Sequence, residues 1–273
     1  MHDPRQTEAE HWRSVGSRLS PSWYLDKIVA AQKRRIHRDL IRRWAAGHAV
    51  SRVLKTDSFE EAHGDDQILF DLFPGADLTI GLDLAWQTAR RAQARCGDPA
   101  IRFVACDVRS LCVRSGSVDI VVSTSTLDHF DSPEHLSTAL REFERVLRPG
   151  GLAMVTLDNP ENPLYTALRW ASRRGWAPFA LGHTASLSGL VRLLEEQGFE
   201  VVATARLIHN PRLVSTLLFL ALRRLLGRYA DAPIRWALGC FALLGHLPTR
   251  RYTACFVGVC ARKRTGPAEA RVE

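Results

Sequence analysis

The chain has 273 residues, of which 46% are hydrophobic and 24% are charged. These proportions are those of an ordinary globular protein, so they exclude a disordered chain and a fibrous repeat. The six cysteines form no CxxC pair and lie mostly in apolar segments, which argues against a zinc site or a disulfide framework. We therefore expect a cytoplasmic protein with reduced thiols and no signal peptide in its polar N-terminus.

The formal net charge of +8 is unevenly distributed. Residues 51–160 hold 11 basic and 17 acidic side chains, whereas residues 161–273 hold 16 basic and 7 acidic ones. No nucleic-acid-binding motif accompanies the basic residues, so we expect no nucleic-acid partner. The longest apolar stretches, 213–222 and 234–247, are shorter than the ~18–20 residues that cross a bilayer. The acidic middle of the chain is where we expect the chemistry.

Hydrophobic periodicity predicts a helix over 22–45, inside an N-terminal helical extension that spans 1–48. Strand and helix patterns then alternate, which predicts a parallel α/β domain over 49–263, followed by a polar tail over 264–273. The predicted helices of the domain cover 86–95, 133–147 and 186–197. The predicted strands cover 50–54, 76–85, 101–106, 118–123, 152–157, 199–206 and 253–261.

Two segments, 158–183 and 210–251, interrupt this alternation and are predicted to form a lid over the ligand-binding edge of the sheet. Their aromatic, leucine and arginine side chains suit a small acceptor molecule that is apolar or carries negative charge. The same side chains are compatible with peripheral contact to a membrane surface. Packing of the insertions onto the domain is the commoner explanation for such a pattern.

Acidic or hydroxyl side chains follow three successive predicted strands: Asp83, Asp107 and the run from Ser123 to Thr126. Ligands of an open parallel sheet bind outside the carboxyl ends of its strands. A carboxylate at the end of the second strand can accept both hydroxyls of a ribose, and the next aspartate can accept from an adenine amine. Either aspartate alone could be a helix cap. The ordered set favours a nucleoside site.

Four segments in this order, IGLDLA, FVACDV, SVDIVVSTSTLDHF and LREFERVLRPGGLAMVT, resemble the class I S-adenosylmethionine-dependent methyltransferases of the small-molecule type. The resemblance implies a Rossmann-like sheet of seven strands with only the last antiparallel, helices on both faces, and S-adenosylmethionine as the cofactor. Its implied cofactor-binding residues are Thr56, Asp57, Glu61, Asp83, Leu84, Asp107, Val108, Ser123 and Thr124.

The chain departs from this family after the first strand. The family has a glycine-rich loop there, but the aligned positions hold Asp57, Phe59 and Glu61. One hypothesis is that Asp57 or Glu61 pairs with the ammonium or sulfonium charge of the cofactor, so that side chains replace backbone amides. The other is that the chain is a non-catalytic binding or scaffold module. The two strand-end aspartates favour the first.

The active-site edge of this family lies after the fourth strand, where the chain has Asp128 and His129. A histidine titrates near neutral pH, so His129 is the candidate general base, with Asp128 beside it in the sequence. The alternative is that His129 only packs at the start of the next helix. Tyr165 and His183, in the first insertion, are candidates of second rank.

Overall fold

The computed structural model describes residues 26–174 and 182–265. The seven strands of this part form one sheet, in the order β3-β2-β1-β4-β5-β7-β6. Only β7 is antiparallel to its neighbours, so the predicted seven-stranded arrangement is confirmed. The strands are β1 (Arg52–Lys55), β2 (Leu78–Asp83), β3 (Ile101–Ala105), β4 (Val118–Thr124), β5 (Leu147–Asp158), β6 (Phe199–Leu207) and β7 (Phe256–Lys263).

Helices cover the sheet and form the two insertions. Capping residues and glycines mark the ends of the helices that flank the sheet. α4 begins after Ser132, whose hydroxyl accepts from Glu134 N. α6 is followed by Gly198, which has a φ of +85°. The helices are α1 (Lys27–Trp44), α2 (Phe59–His63), α3 (Trp86–Arg95), α4 (Pro133–Val146), α5 (Pro163–Arg173), α6 (Leu187–Glu196), α7 (Arg212–Leu226), α8 (Asp231–Leu243) and α9 (Arg250–Thr253).

Both faces of the sheet are buried, which explains why its central strands are almost continuously apolar. On one face Val121 and Val155 pack into the larger core beneath α4 and α6. On the other face Val122 and Met154 pack against the C-terminal part of α1, including Ile41. The N-terminal helix therefore covers one face of the sheet.

Two strands begin three or more residues away from their predicted starts. β5 begins at Leu147 and not at residue 152. The Pro-Gly-Gly segment, in which Gly150 has a φ of +77°, is part of the strand and does not precede it. β7 begins at Phe256 and not at residue 253, because Arg250–Thr253 form a helical turn. The predicted helix over 22–45 begins at Lys27 within the described residues, and its positions 22–25 lie outside them.

The second insertion packs against the N-terminal helix. Ile28 of α1 forms an apolar cluster with Phe219 of α7 and Ile234 of α8. Asp26 caps α1 by accepting from Ile28 N and is ion-paired to Arg223 of α7 at 2.8 Å. Through residues 26–174 and 182–265, every helix is too short or too polar to span a bilayer.

Candidate active site

The loop after β1 is held at the carboxyl edge of the sheet, next to the point where the strand order reverses. Thr56 N donates to Val122 O at 3.1 Å, which fixes the start of the loop to β4. Ser58 is fully buried, and its hydroxyl donates to Leu82 O at 2.8 Å. Ser58 N donates to Asp83 Oδ2 at 3.3 Å. The loop is therefore bonded to both strands that flank β1.

Gly81 of β2 makes the close approach of this loop possible. A Cβ at this position would lie 2.5 Å from the Phe103 ring and 2.9 Å from Ser58 Oγ. Any side chain would therefore displace Ser58 or Phe103.

A buried lysine occupies the end of β1. The side chain of Lys55 is 1% exposed, and its ammonium lies 2.9 Å from Glu61, 3.5 Å from Asp57 and 3.7 Å from Glu60. Burial opposes the charged form, but these three carboxyl groups together hold the pKa of Lys55 above its usual range. Glu61 also accepts from Ile68 N and Leu69 N. Glu61 thus fixes the segment behind the loop.

A second lysine extends this group into an ion cluster, defined here as Lys33, Lys55, Asp57, Glu60, Glu61 and Asp66. Lys33 of α1 lies 3.1 Å from Glu60 and 2.6 Å from Asp66. The ion cluster holds four carboxyl groups against two ammonium groups, so it has an excess of negative charge.

The two carboxyl groups nearest the loop respond differently to this excess. Burial and the neighbouring Glu60 raise the pKa of Asp57 well above its usual range. Burial opposes the ionised form of Glu60 as well, but Lys33 and Lys55 lower its pKa. Of these two carboxyl groups, Asp57 is therefore the one that is more easily protonated.

A cavity of about 20 Å³, room for one water molecule, adjoins the ion cluster. Lys33, Lys55 and Glu60 line it together with Thr124 and Ser125. Glu60 Oε2 is buried and accepts no hydrogen bond within the described part of the chain. The ion cluster therefore opens toward the end of β4.

Hydroxyl groups connect the loop after β1 to the turn after β4. Thr56 Oγ1 lies 3.0 Å from Ser123 Oγ and 3.2 Å from Thr126 Oγ1. Thr126 Oγ1 donates to Asp57 Oδ2 at 3.1 Å. The structure thus brings together Thr56, Asp57 and Ser123, which the sequence predicted to share a site.

Asp83 lies at the end of β2, beside the same loop. Its Oδ1 accepts from Ala85 N at 2.8 Å and its Oδ2 from Ser58 N. Burial raises the pKa of Asp83 to about 6 despite these hydrogen bonds, so the carboxyl group is ionised at neutral pH and titrates in weak acid. Leu84, which follows it, is half-buried.

Asp107 follows β3 and is paired locally. Arg109 N and the Arg109 guanidinium donate to its carboxylate, the latter at 2.7 Å. Burial opposes ionisation, but the hydrogen bonds from Arg109 lower the pKa of Asp107. The side chain of Val108 packs into the larger core.

The turn after β4 carries the predicted catalytic residues and is bent at Ser125, which has a φ of +55°. Asp128 is 1% exposed, and its Oδ2 accepts from Ser125 Oγ at 2.9 Å and from Asp158 N at 2.6 Å. Asp128 therefore joins the ends of β4 and β5. His129 follows in the same turn and is half-buried. The end of the first insertion contacts this turn, because Gly182 N donates to Asp128 O at 3.0 Å.

A second polar group at this edge was missed by the sequence analysis. Asp158 ends β5, is buried, and lies 2.8 Å from the guanidinium of Arg212. Burial raises the pKa of Asp158 to about 6 although Arg212 opposes the shift. Among the described residues, the Tyr165 hydroxyl and Asp128 Oδ1 are buried without a hydrogen-bond partner. The strand-end rule that found Asp83 also points to Asp158.

Comparison with known families identifies the central part of this chain. Residues 64–155 match the model of a methyltransferase domain. The matched segment is about a third of the chain and resembles a methyltransferase domain. The match starts after the loop that replaces the glycine-rich segment and includes the strand ends at Asp83 and Asp107. The match supports S-adenosylmethionine as the cofactor against which the residues of this edge are tested.

Curated relatives match over a short segment. The chain is 38% identical over 60 residues to the tRNA (carboxymethyluridine(34)-5-O)-methyltransferases ALKBH8 of Mus musculus and of Macaca fascicularis. The segment covers 22% of this chain and 9% of each relative, so the chain spans less than a tenth of their length.

Solved structures share the fold over most of this chain. The N-methyltransferase NodS from Bradyrhizobium japonicum, determined with S-adenosylhomocysteine, has a TM-score of 0.59 and 16% identity, over 93% of this chain and 99% of NodS. The [4+2]-cyclase SpnF has a TM-score of 0.57 and 19% identity, with 94% and 93% covered. A Haloferax volcanii complex of the Trm112 activator and a methyltransferase gives a TM-score of 0.58 and 15% identity, with 95% and 99% covered.

The end of β2 and the ion cluster at the end of β1 fit different parts of the cofactor. Asp83 offers a carboxylate with spare acceptor capacity at the end of β2, which suits the ribose hydroxyls. The buried Glu60 Oε2, which accepts no hydrogen bond and lies 3.7 Å from the Lys55 ammonium, and the excess negative charge of the ion cluster suit an ammonium or sulfonium group. The residues therefore fit S-adenosylmethionine, with carboxyl groups where the family has glycine amides.

Proposed function

We propose that the protein is an S-adenosylmethionine-dependent methyltransferase that acts on a small-molecule acceptor. The observation that carries the proposal is the placement of Asp83, at the end of β2 in the segment that matches the methyltransferase domain. Its carboxylate is oriented by Ser58 N and Ala85 N, which keeps it at the carboxyl edge of the sheet. In this proposal it accepts both ribose hydroxyls.

The adenine lies between β2 and β3 in this proposal. Leu84 packs on its face, and Asp107 accepts from its exocyclic amine, with Val108 supplying backbone contacts. The hydrogen bonds from Arg109 keep Asp107 ionised and hold it in place. In this proposal, these contacts add to the affinity for the cofactor, whose position is determined by Asp83.

The methionine part lies over the ion cluster in this proposal. Thr56, Ser123 and Thr124 surround it with hydroxyl groups, and Asp57 supplies the countercharge to its ammonium group. The ammonium group stabilises the ionised form of Asp57, because an added cation offsets the repulsion from Glu60. Glu61 supports the site from behind through Lys55.

The acceptor lies at the ends of β4 and β5, under the first insertion. The cofactor supplies a methyl group on a sulfonium, which is displaced in line by the nucleophile of the acceptor. His129 is the proposed base that takes the proton of this nucleophile. Asp128 positions the turn that carries His129 by linking Ser125 to Asp158. The unpartnered Tyr165 hydroxyl offers a hydrogen bond to the acceptor.

Calorimetric titration with S-adenosylmethionine tests the cofactor site. We expect one molecule to bind per chain, and Asp83→Asn to weaken the affinity by about 10- to 100-fold, since hydrogen bonds to an ionised group are lost. Asp77→Asn is the matched control, because Asp77 is exposed at the opposite end of β2. Equal affinities in the wild type and Asp83→Asn would contradict the assignment.

The competing proposal is a methyltransferase-like module that does not transfer methyl groups, and the loop without glycines favours it. The fold neighbour SpnF, a [4+2]-cyclase, gives the precedent of another activity on this fold. Formation of S-adenosylhomocysteine with a panel of phenol, amine and carboxylate acceptors distinguishes the two. Turnover with a small acceptor supports the enzyme, and turnover only with tRNA contradicts the small-molecule assignment.

A further inference from the structure

The outer sides of α7 and α8 are apolar where solvent-facing helices normally carry charge. On α7 the exposed stripe is Val214, Leu217, Leu218, Ala221 and Leu225. Leu225 is 79% exposed. These positions recur at helical spacing, so they lie along one side of the helix. The opposite side holds Phe219, which is buried against α1.

α8 repeats this arrangement. Its inner residues Ile234 and Leu238 are buried in the cluster that also contains Phe219. Its outer residues Trp236 and Leu243 are 74% and 64% exposed. Both helices thus bury their inner sides in one cluster and leave an apolar outer side exposed. We call these two exposed sides the outer apolar surface.

Basic residues border the outer apolar surface. Residues 212–251 contain seven arginines and one acidic residue, Asp231. Asp231 is ion-paired to Arg223 at 2.5 Å, so its charge is compensated inside the insertion. Arg224 and Arg235, on the two helices that carry the apolar residues, are exposed, and so is Arg250 of α9. The surface therefore combines apolar contacts with an excess of positive charge.

Aromatic residues complete this pattern. Tyr229 and Tyr252 are 70% and 52% exposed, and Trp236 lies between them in the sequence. Tyrosine and tryptophan are enriched where protein meets the headgroup region of a bilayer. A protein partner or a second copy of the chain would cover apolar area, but it would not by itself require a border of arginines.

We propose that the outer apolar surface of α7 and α8 docks on an anionic lipid bilayer. The leucine and tryptophan side chains enter the boundary between headgroups and acyl chains, and the arginines contact the lipid phosphates. The helices lie on the membrane and do not cross it. The second insertion contacts Asp158 through Arg212, so docking places the edge of the proposed acceptor site near the bilayer.

Co-sedimentation of the full chain with vesicles tests this proposal without any cofactor. Vesicles of phosphatidylcholine with about 30% phosphatidylglycerol are compared with phosphatidylcholine alone. We expect binding to the anionic vesicles at about 50 mM salt and a marked loss at about 500 mM, since surface charges are then screened. No sedimentation with anionic vesicles at low salt would overturn the proposal.

Two sets of variants separate the apolar and electrostatic contributions. Leu217→Ser, Leu225→Ser and Trp236→Ser combined should weaken vesicle binding at least tenfold, whereas the exposed pair Val104→Ser and Val202→Ser on β3 and β6 should not. Arg224→Gln and Arg235→Gln should weaken it about fivefold each. Arg90→Gln and Arg91→Gln on α3 are the charge-matched controls and should leave binding unchanged.

The oligomeric state tests whether a second copy of the chain, and not a lipid bilayer, covers the outer apolar surface. All variants are first checked by thermal unfolding, and sedimentation equilibrium is then measured without lipid. We expect a wild-type mass that the leucine and tryptophan changes do not alter. A wild-type dimer that these changes dissociate, together with no vesicle binding, would assign the surface to a second copy of the chain and overturn the lipid proposal. Neither outcome depends on methyl transfer.

Discussion

The two ends of the cofactor edge are built differently. At the ends of β2 and β3, Asp83 and Asp107 are held by nearby donors, Ala85 N, Ser58 N and the Arg109 side chain. At the end of β1, the loop is held by the buried Lys55 and the carboxyl groups around it. The first end requires only a carboxylate at a strand terminus, whereas the second requires an ion cluster that spans α1, β1 and α2.

This difference shows which part of such a site is determined by the strand topology alone. Parallel strands that end at the same edge bring their terminal side chains together whatever the loops contain. A glycine-rich loop after β1 holds a ligand through backbone amides. A loop at this position can also be stabilised in another way. Here the carboxyl groups that replace the glycines are stabilised by Lys55 and Lys33.

The largest expected effect is on the ion cluster itself. Lys55→Met leaves Glu61 and its neighbours buried without their central cation, and we expect a loss of about 3–5 kcal/mol in the free energy of unfolding, measured by urea denaturation. Lys27→Met is the control, because Lys27 is 64% exposed and its pair with Asp231 should contribute about 1 kcal/mol or less. A loss as small as that of the control would contradict a buried ion cluster.

The next largest effect concerns the contact between Gly81 of β2 and the loop after β1. Gly81→Ala places a methyl group against Ser58 Oγ and the Phe103 ring, and we expect it to cost about 1–3 kcal/mol of stability. The change should also weaken S-adenosylmethionine binding, because Ser58 N orients Asp83. Gly239→Ala in α8 is the matched control, since its Cβ meets nothing within 4 Å and alanine favours the helix. Unchanged thermal stability in Gly81→Ala would contradict the close packing.

A smaller effect concerns the pH dependence of cofactor binding. The pKa of Asp83 is raised to about 6, so the folded protein protonates it more readily than the unfolded chain, and its contribution to stability falls as pH rises from about 4 to about 6. Ribose hydroxyls bind the ionised form. We therefore expect affinity at pH about 5 to be roughly tenfold lower than at pH about 7. Asp83→Asn should remove this part of the dependence, and an identical pH profile in the variant would contradict it.

The smallest effect is expected on the adenine side. Asp107 is partly exposed and already paired with Arg109, so Asp107→Asn should weaken S-adenosylmethionine binding only about two- to tenfold. Calorimetric titration beside Asp83→Asn gives the comparison. A loss in Asp107→Asn that exceeds the loss in Asp83→Asn would reverse the proposed order of the two aspartates.

The strand order and the strand-end carboxylates could be predicted because both follow from alternating apolar segments and punctuating residues. The sequence also placed Thr56, Asp57 and Ser123 at one edge, and the structure joins them by hydrogen bonds. The division of the chain into extension, domain and lid remains a prediction. The packing of α1 on α8 was not foreseen, because contacts between segments some 200 residues apart leave no local pattern.

The interior of the site could not be predicted for a related reason. A lysine such as Lys55 in a short strand looks like a solvent-exposed position, and its burial depends on carboxyl groups supplied by other segments. Asp128 was predicted to accompany His129, but its side chain accepts hydrogen bonds from Ser125 and Asp158. Adjacency in the chain is visible in the sequence, but the fold determines which side chains are in contact.

The most direct test of the account compares ligands that differ only in the amino-acid end. S-adenosylhomocysteine and 5′-methylthioadenosine are titrated into the wild type and Asp57→Asn, which keeps the shape of the neutral acid but supplies no charge. We predict that the wild type prefers S-adenosylhomocysteine, and that Asp57→Asn reduces this preference about tenfold while 5′-methylthioadenosine affinity is unchanged. An equal preference in both proteins, or no binding of either ligand, would contradict a cofactor site lined by these carboxyl groups.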